Sequence, residues 1–277
     1  MLHGVIMAGG TGTRFWPLSR MSRPKQVLPV GGARPLIAET VARLGGLVPV
    51  ERTYIVTAAA QVAPLLNALG HGAPPRVIAE PFGRDTAACI GLAAMHVHRA
   101  DPEATMLVMP ADQVIEPVGR FHEVMEAGAR VADDGESLVT FGITPTHPAT
   151  GYGYIHRGAH VADLDGIPVY EVHRFREKPA AETAEEYFDS GEYYWNSGIF
   201  CWQAATILDC IRRFAPELYA ALERIAGAIA TPAEETVLRE AYEPLEKISI
   251  DYAVMEHAER IRVVEADFRW SDVGSWA

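Results

Sequence analysis

The chain has 277 residues, of which 49% are hydrophobic and 22% charged, values typical of a globular protein that buries a sizeable core. Its 36 Asp and Glu outnumber its 24 Lys and Arg, which gives a net charge of −12. This charge argues against a nucleic-acid partner, because affinity for nucleic acids comes from clustered Lys and Arg. Three cysteines without CxxC spacing indicate neither a disulfide framework nor a zinc site. With no bilayer-length apolar stretch and no signal peptide, we expect a cytoplasmic enzyme without a membrane partner.

Short apolar runs alternate with longer amphipathic stretches in the first half, a pattern typical of βα units and a largely parallel sheet. We expect strands near residues 5–8, 54–56, 77–79, 106–109 and 138–143. We expect helices near residues 36–44, 61–69, 86–98 and 121–132.

The second half has strands richer in β-branched and aromatic residues. We expect strands near residues 151–155, 169–175, 193–202 and 261–264. We expect helices near residues 180–188, 204–214, 216–229 and 232–242. No repeat or linker divides the chain, so a nucleotide-binding half at about 1–145 and a substrate half at about 146–277 should share one sheet within a single catalytic domain.

A glycine-rich turn follows the first expected strand, in the run Gly9-Gly10-Thr11-Gly12-Thr13-Arg14. Backbone N–H groups can approach phosphates closely at such a turn, because no side chain intervenes. The spacing is neither a P-loop nor the dinucleotide fingerprint, since no Gly-Lys-Ser/Thr follows and Phe15 stands at the third glycine position. Arg14, Arg23 and Lys25 follow within reach, although an ordinary strand-to-helix turn with solvated cations would look similar.

The same loop, together with Pro17-Leu18-Ser19-Arg20 and Pro24-Lys25-Gln26, resembles the signature of the sugar-1-phosphate nucleotidyltransferases, and most closely their mannose-1-phosphate guanylyltransferase branch. The resemblance implies an α/β, Rossmann-like (glycosyltransferase-A-like) fold with a mixed, mainly parallel central sheet flanked by helices. It also implies that Arg14 and Lys25 neutralise the triphosphate. The loop residues that it assigns to the nucleotide are Ala8, Gly9, Gly10, Thr11, Gly12 and Thr13.

A second match is the segment Glu80-Pro81-Phe82-Gly83-Arg84-Asp85-Thr86-Ala87, between a short strand and a helix. Asp85 or Thr86 would serve there as an ordinary N-cap. In the family this segment lies beside the base, where a carboxylate can accept from guanine N–H groups, although Ala88 stands where relatives often have proline. The resemblance therefore assigns four more residues to the nucleotide: Glu80, Arg84, Asp85 and Thr86.

Asp112 follows the strand near 106–109, and ligands of α/β sheets bind at the carboxyl ends of strands. Hard oxygen ligands suit Mg²⁺, which needs only one or two carboxylates beside phosphates and waters, whereas a lone aspartate here would be an ordinary turn residue. The run Phe268-Arg269-Trp270-Ser271-Asp272-Val273-Gly274-Ser275-Trp276 resembles the guanylyltransferase signature that supplies a second metal contact. By resemblance, Asp112 and Asp272 are the paired Mg²⁺ ligands.

Three further segments carry the resemblance on the sugar side, although each would otherwise pass for a bulge, a solvated charge pair or a buried aromatic strand. They are Gly151-Tyr152-Gly153-Tyr154, Glu177-Lys178-Pro179 and Tyr194-Trp195-Asn196-Ser197-Gly198. The family implies that Glu177 and Asn196 bind sugar hydroxyls and that Lys178 meets the sugar phosphate. The expected sugar-phosphate residues are Gly151, Gly153, Glu177, Lys178 and Asn196.

The implied reaction transfers GMP from GTP to mannose 1-phosphate, giving GDP-mannose and pyrophosphate by Mg²⁺-assisted in-line attack on the α-phosphorus. Five residues are expected to carry it: Arg14, Lys25, Asp112, Lys178 and Asp272. Three alternatives stay open. The same chemistry with a different nucleotide or sugar would make the chain a uridylyl- or thymidylyltransferase. The other two are a non-catalytic regulatory homologue and a glycosyltransferase that uses GDP-mannose. The resemblance leaves a homodimer open. Relatives usually continue past the segment Asp272-Val273-Gly274-Ser275-Trp276 into a C-terminal extension. We expect that extension to be absent here, in either a shortened chain or a compact member of the family.

Overall fold

The computed structural model describes residues 1–10, 15–20, 23–30, 32–70 and 72–273. The strands in those ranges are β1 (Leu2–Met7), β2 (Thr53–Ala58), β3 (Arg76–Glu80), β4 (Thr105–Pro110), β5 (Val114–Glu116), β6 (Leu138–Ile143), β7 (Tyr154–Leu164), β8 (Ile167–Arg176), β9 (Tyr193–Gln203), β10 (Ile261–Ala266) and β11 (Arg269–Ser271). The α-helices are α1 (Leu36–Leu44), α2 (Val62–Leu69), α3 (Asp85–Ala100), α4 (Val118–Ala132), α5 (Ala181–Ser190), α6 (Ala204–Phe214), α7 (Pro216–Ala228) and α8 (Glu234–Tyr242).

One sheet joins both halves of the chain, with nine strands of the described residues in the order β3-β2-β1-β4-β9-β6-β10-β8-β7. The pairings β2–β3, β1–β2, β1–β4 and β6–β10 are parallel, whereas β9 and β8 run against their neighbours. The expected mixed, mainly parallel sheet flanked by helices is therefore confirmed. Strands β9 and β10, from the second half of the sequence, lie on either side of β6 from the first half.

Helices cover both faces of this sheet, which explains why its central strands are continuous apolar runs. Every residue of β6 is buried, and so are all residues of β4 except the last. Two separate apolar clusters result, one formed with α3, α6 and α7 and the other with α1, α2 and α4. Strands buried on both faces lose the alternation of apolar and polar residues that a one-sided sheet would show.

Three features differ from the sequence prediction. The strand expected at 151–155 begins only at Tyr154 and continues to Leu164, forming a long hairpin with β8 that turns at Asp165 and Gly166, both at positive φ. The two-stranded pair of β5 and β11 was not predicted, nor was a π-helical turn over Asp251–Met255.

In the part of the chain that the structure describes, no helix combines the length and apolar character needed to cross a membrane.

Candidate functional site

The candidate site lies where β1 and β4 end. These strands pair in parallel with Met7 opposite Pro110, so Ala8 and Asp112, which follow shortly after, emerge at the same edge of the sheet. Ligands of open α/β sheets bind outside this carboxyl edge. The topology thus brings the start of the glycine-rich loop beside the first expected metal ligand.

Buried side chains hold the beginning of that loop by its carbonyl groups. The Ala8 carbonyl accepts hydrogen bonds from Gln26 Nε2 at 2.7 Å and Thr57 Oγ1 at 2.9 Å, and the Gly10 carbonyl accepts from Gln61 Nε2 at 3.0 Å. Gly10 has a φ of +96°, a conformation that favours glycine. A Cβ at Gly10 would have no described atom within 4 Å, so none of the described residues crowds the backbone at this position.

Lys25 joins the two expected metal ligands. It lies in a 3₁₀ turn (Lys25–Val27), and its Nζ donates to Asp112 Oδ2 and to the main-chain oxygen of Asp272, each at 2.8 Å. The Lys25 side chain is only 8% exposed, whereas that of Asp112 is 37% exposed. Oxygens of both aspartates therefore converge on one buried cation, with the Asp112 carboxylate still open to solvent.

The short pair β5–β11 explains how residues 160 positions apart in the sequence meet. In this antiparallel pair Ser271 lies opposite Val114, so the chain on either side brings Asp272 next to the segment that contains Asp112. The Asp272 carboxylate accepts a hydrogen bond from the Tyr152 hydroxyl at 3.2 Å. Burial and this carboxylate raise the pKa of Tyr152 to about 12, which keeps the hydroxyl protonated as a donor.

Oxygen donors of this kind fit a divalent cation such as Mg²⁺, which prefers carboxylates and needs few of them when phosphates and waters complete its shell. The observation that supports the fit is the Lys25 ammonium, a cation held by a carboxylate oxygen of Asp112 and by the main-chain oxygen of Asp272. Within the described ranges no group of three or more His, Cys, Asp or Glu side chains could hold a metal ion. Any metal at this point would therefore rely on the two aspartates together with the substrate's own oxygens.

The expected sugar residues form a second cluster. Gly153, Glu177 and Asn196 line one narrow crevice between β7, the end of β8 and β9. The Asn196 backbone N–H donates to the Gly153 carbonyl at 2.8 Å, and a Cβ at Gly153 would lie 2.7 Å from Glu177 Oε2. Lys178 has a φ of +36° and pairs with the Glu177 carboxylate. Gly151 is exposed and lies just outside this crevice.

Asp251 completes the crevice and was missed by the sequence analysis. Its Oδ1 accepts a hydrogen bond from Asn196 Nδ2 at 2.9 Å. Burial, and to a lesser degree the charge of Glu177, raise the pKa of Asp251 to about 6 against the opposing effect of the Asn196 bond. An acidic residue that begins a helical turn is so common that the sequence offers no signal to single it out.

Two contacts connect the crevice with the aspartate pair. Gln113, next to Asp112, donates from Nε2 to the Ser197 carbonyl at 2.5 Å, and Ser197 follows Asn196 in β9. Tyr152, which binds Asp272, directly precedes Gly153. The aspartate pair and the crevice therefore lie close to each other.

The segment from Glu80 to Ala87 joins β3 to α3 on the other side of the loop. Glu80 is 4% exposed, and its carboxylate accepts from the Tyr242 hydroxyl at 2.6 Å. Burial raises the pKa of Glu80 to about 7, and the Arg84 guanidinium donates to the carbonyls of Tyr242 and Glu243. Asp85 has a φ of +67° and accepts from the Thr86 N–H. Glu80 and Arg84 thus have partners within the chain, and their nucleotide contacts stay a prediction.

Some predicted site residues lie outside the described residues. They are Thr11, Gly12, Thr13 and Arg14, together with Gly274, Ser275 and Trp276 of the C-terminal signature. The described site therefore consists of the start of the loop, the pair of aspartates joined by Lys25, and the crevice of Gly153, Glu177 and Asn196.

Fold and site together define an α/β protein with a glycine loop, a buried lysine and paired aspartates at one edge of its sheet, an arrangement suited to binding phosphorylated ligands. Comparison with known families agrees, since the Nucleotidyl transferase family model matches residues 3–277. The chain belongs to the nucleotidyl transferase family. Members of this family generally use a divalent metal.

Individual relatives match over the whole chain. A mannose-1-phosphate guanylyltransferase of Klebsiella pneumoniae is 41% identical over 283 residues, and one of Escherichia coli is 42% identical over 283 residues. Both alignments cover 100% of this chain but 59% of the relative, so the chain spans about three fifths of the length of these curated proteins. The crystal structure of a protein described as mannose-1-phosphate geranyltransferase from Thermus thermophilus has a TM-score of 0.89 and 38% identity, covering 99% of this chain and 77% of that one.

Proposed function

We propose that the chain transfers GMP from GTP to mannose 1-phosphate, giving GDP-mannose and pyrophosphate. The observation that carries the proposal is the Lys25 ammonium, bonded to oxygens of Asp112 and Asp272 at the carboxyl edge of the sheet. The names of the 41% and 42% identical relatives supply the substrate pair. The adjoining crevice of Gly153, Glu177 and Asn196 offers carboxylate and amide groups that would bind the hydroxyls of a sugar.

The two substrates would meet across the cleft. The triphosphate would lie along the glycine loop, with Arg14 and Lys25 as its cations. The sugar phosphate would place its hydroxyls against the residues of the crevice and its phosphate near Lys178. A sugar-phosphate oxygen would then attack the α-phosphorus, forming the new P–O bond while the bond to the pyrophosphate oxygen breaks. Both electrons of the broken bond leave with pyrophosphate.

No general base is required for this attack. A phosphate monoester has a second pKa of about 6, so its oxygens are mostly ionised near neutral pH. The barrier is electrostatic, since two anions approach each other and negative charge moves onto the leaving group. Lys25, Arg14 and Lys178 would reduce that repulsion by their positive charge, and no proton transfer is needed.

Asp112 and Asp272 would hold Mg²⁺. When bound, Mg²⁺ would offset charge on the phosphates of GTP. The Lys25 ammonium would then have to give up its hydrogen bond to Asp112 and bind the triphosphate instead. Because the Asp112 side chain is 37% exposed, its carboxylate is accessible for that exchange.

Further properties of the intact protein belong to the same proposal. We infer a cytoplasmic enzyme of GDP-mannose biosynthesis without nucleic-acid or membrane partners, consistent with the net charge of −12. A homodimer is the oligomer to test. The single domain would consist of the nucleotide-binding and sugar-binding halves that share the central sheet.

The test is pyrophosphate release by the purified chain over a panel of donors and acceptors in the presence of Mg²⁺. The donors are GTP, ATP, UTP and dTTP, and the acceptors are mannose 1-phosphate and glucose 1-phosphate. We expect the highest kcat/KM for GTP with mannose 1-phosphate. A higher value for another pair would refute the assigned substrates, and no release with any pair would refute the activity itself.

A further inference from the structure

Asp251 lies in the sugar crevice, yet none of the motifs that predict the site includes it. It begins the π-helical turn Asp251–Met255 and lines the same crevice as Gly153, Glu177 and Asn196. Single π-helical turns are rare and frequently occur at functional sites. The question is what a partly buried carboxylate does beside residues expected to bind a sugar.

The Asn196 side chain is held at both ends. Its Oδ1 accepts from the Gly198 backbone N–H at 3.0 Å, and its Nδ2 donates to Asp251 Oδ1 at 2.9 Å. These bonds use the oxygen as acceptor and one of the two amide hydrogens as donor. Among the described residues the second Nδ2 hydrogen has no acceptor, so it is the group that the amide offers to a ligand.

The backbone before Asp251 is also fixed. The Ile250 N–H donates to Thr86 Oγ1 at 2.8 Å, and the Ala87 N–H donates to the Ile248 carbonyl at 3.2 Å. The turn that carries Asp251 is thereby attached to the first turn of α3. A carboxylate on such a fixed segment can hold the Asn196 amide in one orientation.

We propose that Asp251 is a positioning residue for the pyranose 1-phosphate substrate, acting by holding the Asn196 amide with its remaining N–H toward a sugar hydroxyl. This inference rests on the proposed function of the crevice. It assigns Asp251 to the acceptor substrate alone, since its hydrogen bond leads to Asn196 and not to the glycine loop.

The first experiment compares Asp251→Asn with the wild type and with Glu246→Gln, an exposed carboxylate in the segment that precedes Asp251. Asn preserves the size of the side chain but replaces a charge-assisted hydrogen bond with a neutral one. We expect KM for mannose 1-phosphate to rise about tenfold in Asp251→Asn, with KM for GTP within about twofold of wild type. Glu246→Gln should match the wild type in both constants.

A double-mutant cycle tests whether Asp251 acts through Asn196. Asp251→Ala, Asn196→Ala and the double variant are compared by kcat/KM for mannose 1-phosphate. If Asp251 works by holding the amide, the double variant should lose no more than about twofold beyond Asn196→Ala, because the group that Asp251 positions is already gone. Fully additive losses would overturn the proposal.

The pH dependence gives a readout that a merely structural role would not produce. The groups around Asp251 in the crevice are Arg176, Glu177 and Glu256, with Lys178 paired to Glu177. Because the pKa of Asp251 is about 6, the carboxylate is ionised at pH 8 and mostly protonated at pH 5. The ratio of kcat/KM between wild type and Asp251→Asn should therefore fall from about ten at pH 8 toward one at pH 5.

Taking this ratio cancels the titration of the sugar phosphate, which is the same for both proteins. A ratio near one at pH 8, or one that does not change with pH, would overturn the role of Asp251 while leaving the proposed function intact. An increase in KM for GTP equal to that for mannose 1-phosphate would do the same, because it would indicate general disruption. A wild-type chain that releases no pyrophosphate with any pair would overturn both proposals.

Discussion

Replacing Lys25 with Met separates the charge of this side chain from its packing. Met keeps an unbranched stem of similar length, which can still lie against the Phe15 ring, whose centroid is 5.3 Å from Nζ. The substitution removes the ammonium and both of its 2.8 Å hydrogen bonds, to Asp112 and to Asp272. Lys247→Met is the matched control, since Lys247 is exposed and belongs neither to the aspartate pair nor to the residues that line the crevice.

The expected effects on stability and on turnover differ in size. A hydrogen bond between charged groups contributes about 1.5–3 kcal/mol, but the 37% exposure of Asp112 lets water hydrate its charge once Lys25 is gone. We therefore expect a loss of about 1–2 kcal/mol and a decrease in Tm of only a few degrees. Turnover should fall by about 10²–10³, the usual loss when a positioned donor to developing charge is removed.

The assay measures pyrophosphate release at saturating GTP and mannose 1-phosphate over a range of Mg²⁺ concentrations, with Tm measured in parallel. If Lys25 competes with Mg²⁺ for the Asp112 carboxylate, its removal should also lower the Mg²⁺ concentration that gives half-maximal rate. Turnover within tenfold of wild type in a folded Lys25→Met variant would refute the catalytic role of Lys25. An unchanged or higher Mg²⁺ requirement would refute the competition.

Three other predictions concern the rest of the cleft. Gly153→Ala should raise KM for mannose 1-phosphate with little loss of stability, since the new Cβ would lie 2.7 Å from the flexible end of Glu177. The control is Gly227→Ala, whose new Cβ would meet no described atom within 4 Å. An unchanged KM in Gly153→Ala would contradict the assignment of Gly153 to the sugar. Asp112→Asn should abolish most Mg²⁺-dependent turnover, and undiminished activity at low Mg²⁺ would eliminate Asp112 as a ligand. The pKa of Glu80 is raised to about 7, so the folded protein binds the carboxyl proton of Glu80 more tightly than the unfolded chain does. This proton binding stabilises the folded state fully below pH 4.5, and the stabilisation is lost as the pH rises through 7. Glu80→Gln should therefore be more stable than wild type at pH 8, by up to about 3 kcal/mol, and the difference in urea denaturation should shrink toward pH 4.5; equal curves at both pH values would contradict the shift.

Much of the fold follows from the apolar pattern. Helix α1 and strand β6 begin and end at the predicted residues, 36–44 and 138–143, because both carry strong apolar signals bounded by turn-forming residues. Strands β5 and β11 have three residues each, too few for any periodicity to show. The pairing of β5 with β11 nevertheless brings Asp272 to the segment of Asp112. The sequence could therefore imply the two aspartates by resemblance, but it could not show how they come together.

The buried polar residues were the hardest to predict. Thr57 and Gln61 hold the carbonyls of the glycine loop, and Asp251 holds Asn196, yet each is an isolated polar residue in an ordinary sequence context. Such residues acquire a role only when the fold places a partner opposite them, often far away in the sequence. The Glu80 carboxylate likewise accepts from Tyr242, 162 positions away in the sequence, while its contact with the nucleotide stays a prediction.

The most direct test of the proposed reaction follows heavy oxygen (¹⁸O) from the phosphate of mannose 1-phosphate into the products by mass spectrometry. If a sugar-phosphate oxygen attacks the α-phosphorus of GTP, all the label should appear in GDP-mannose and none in pyrophosphate. Release of GMP without labelled GDP-mannose would indicate hydrolysis by water, and label in pyrophosphate would indicate that a different bond breaks. Either result would contradict the assignment of this cleft to GMP transfer.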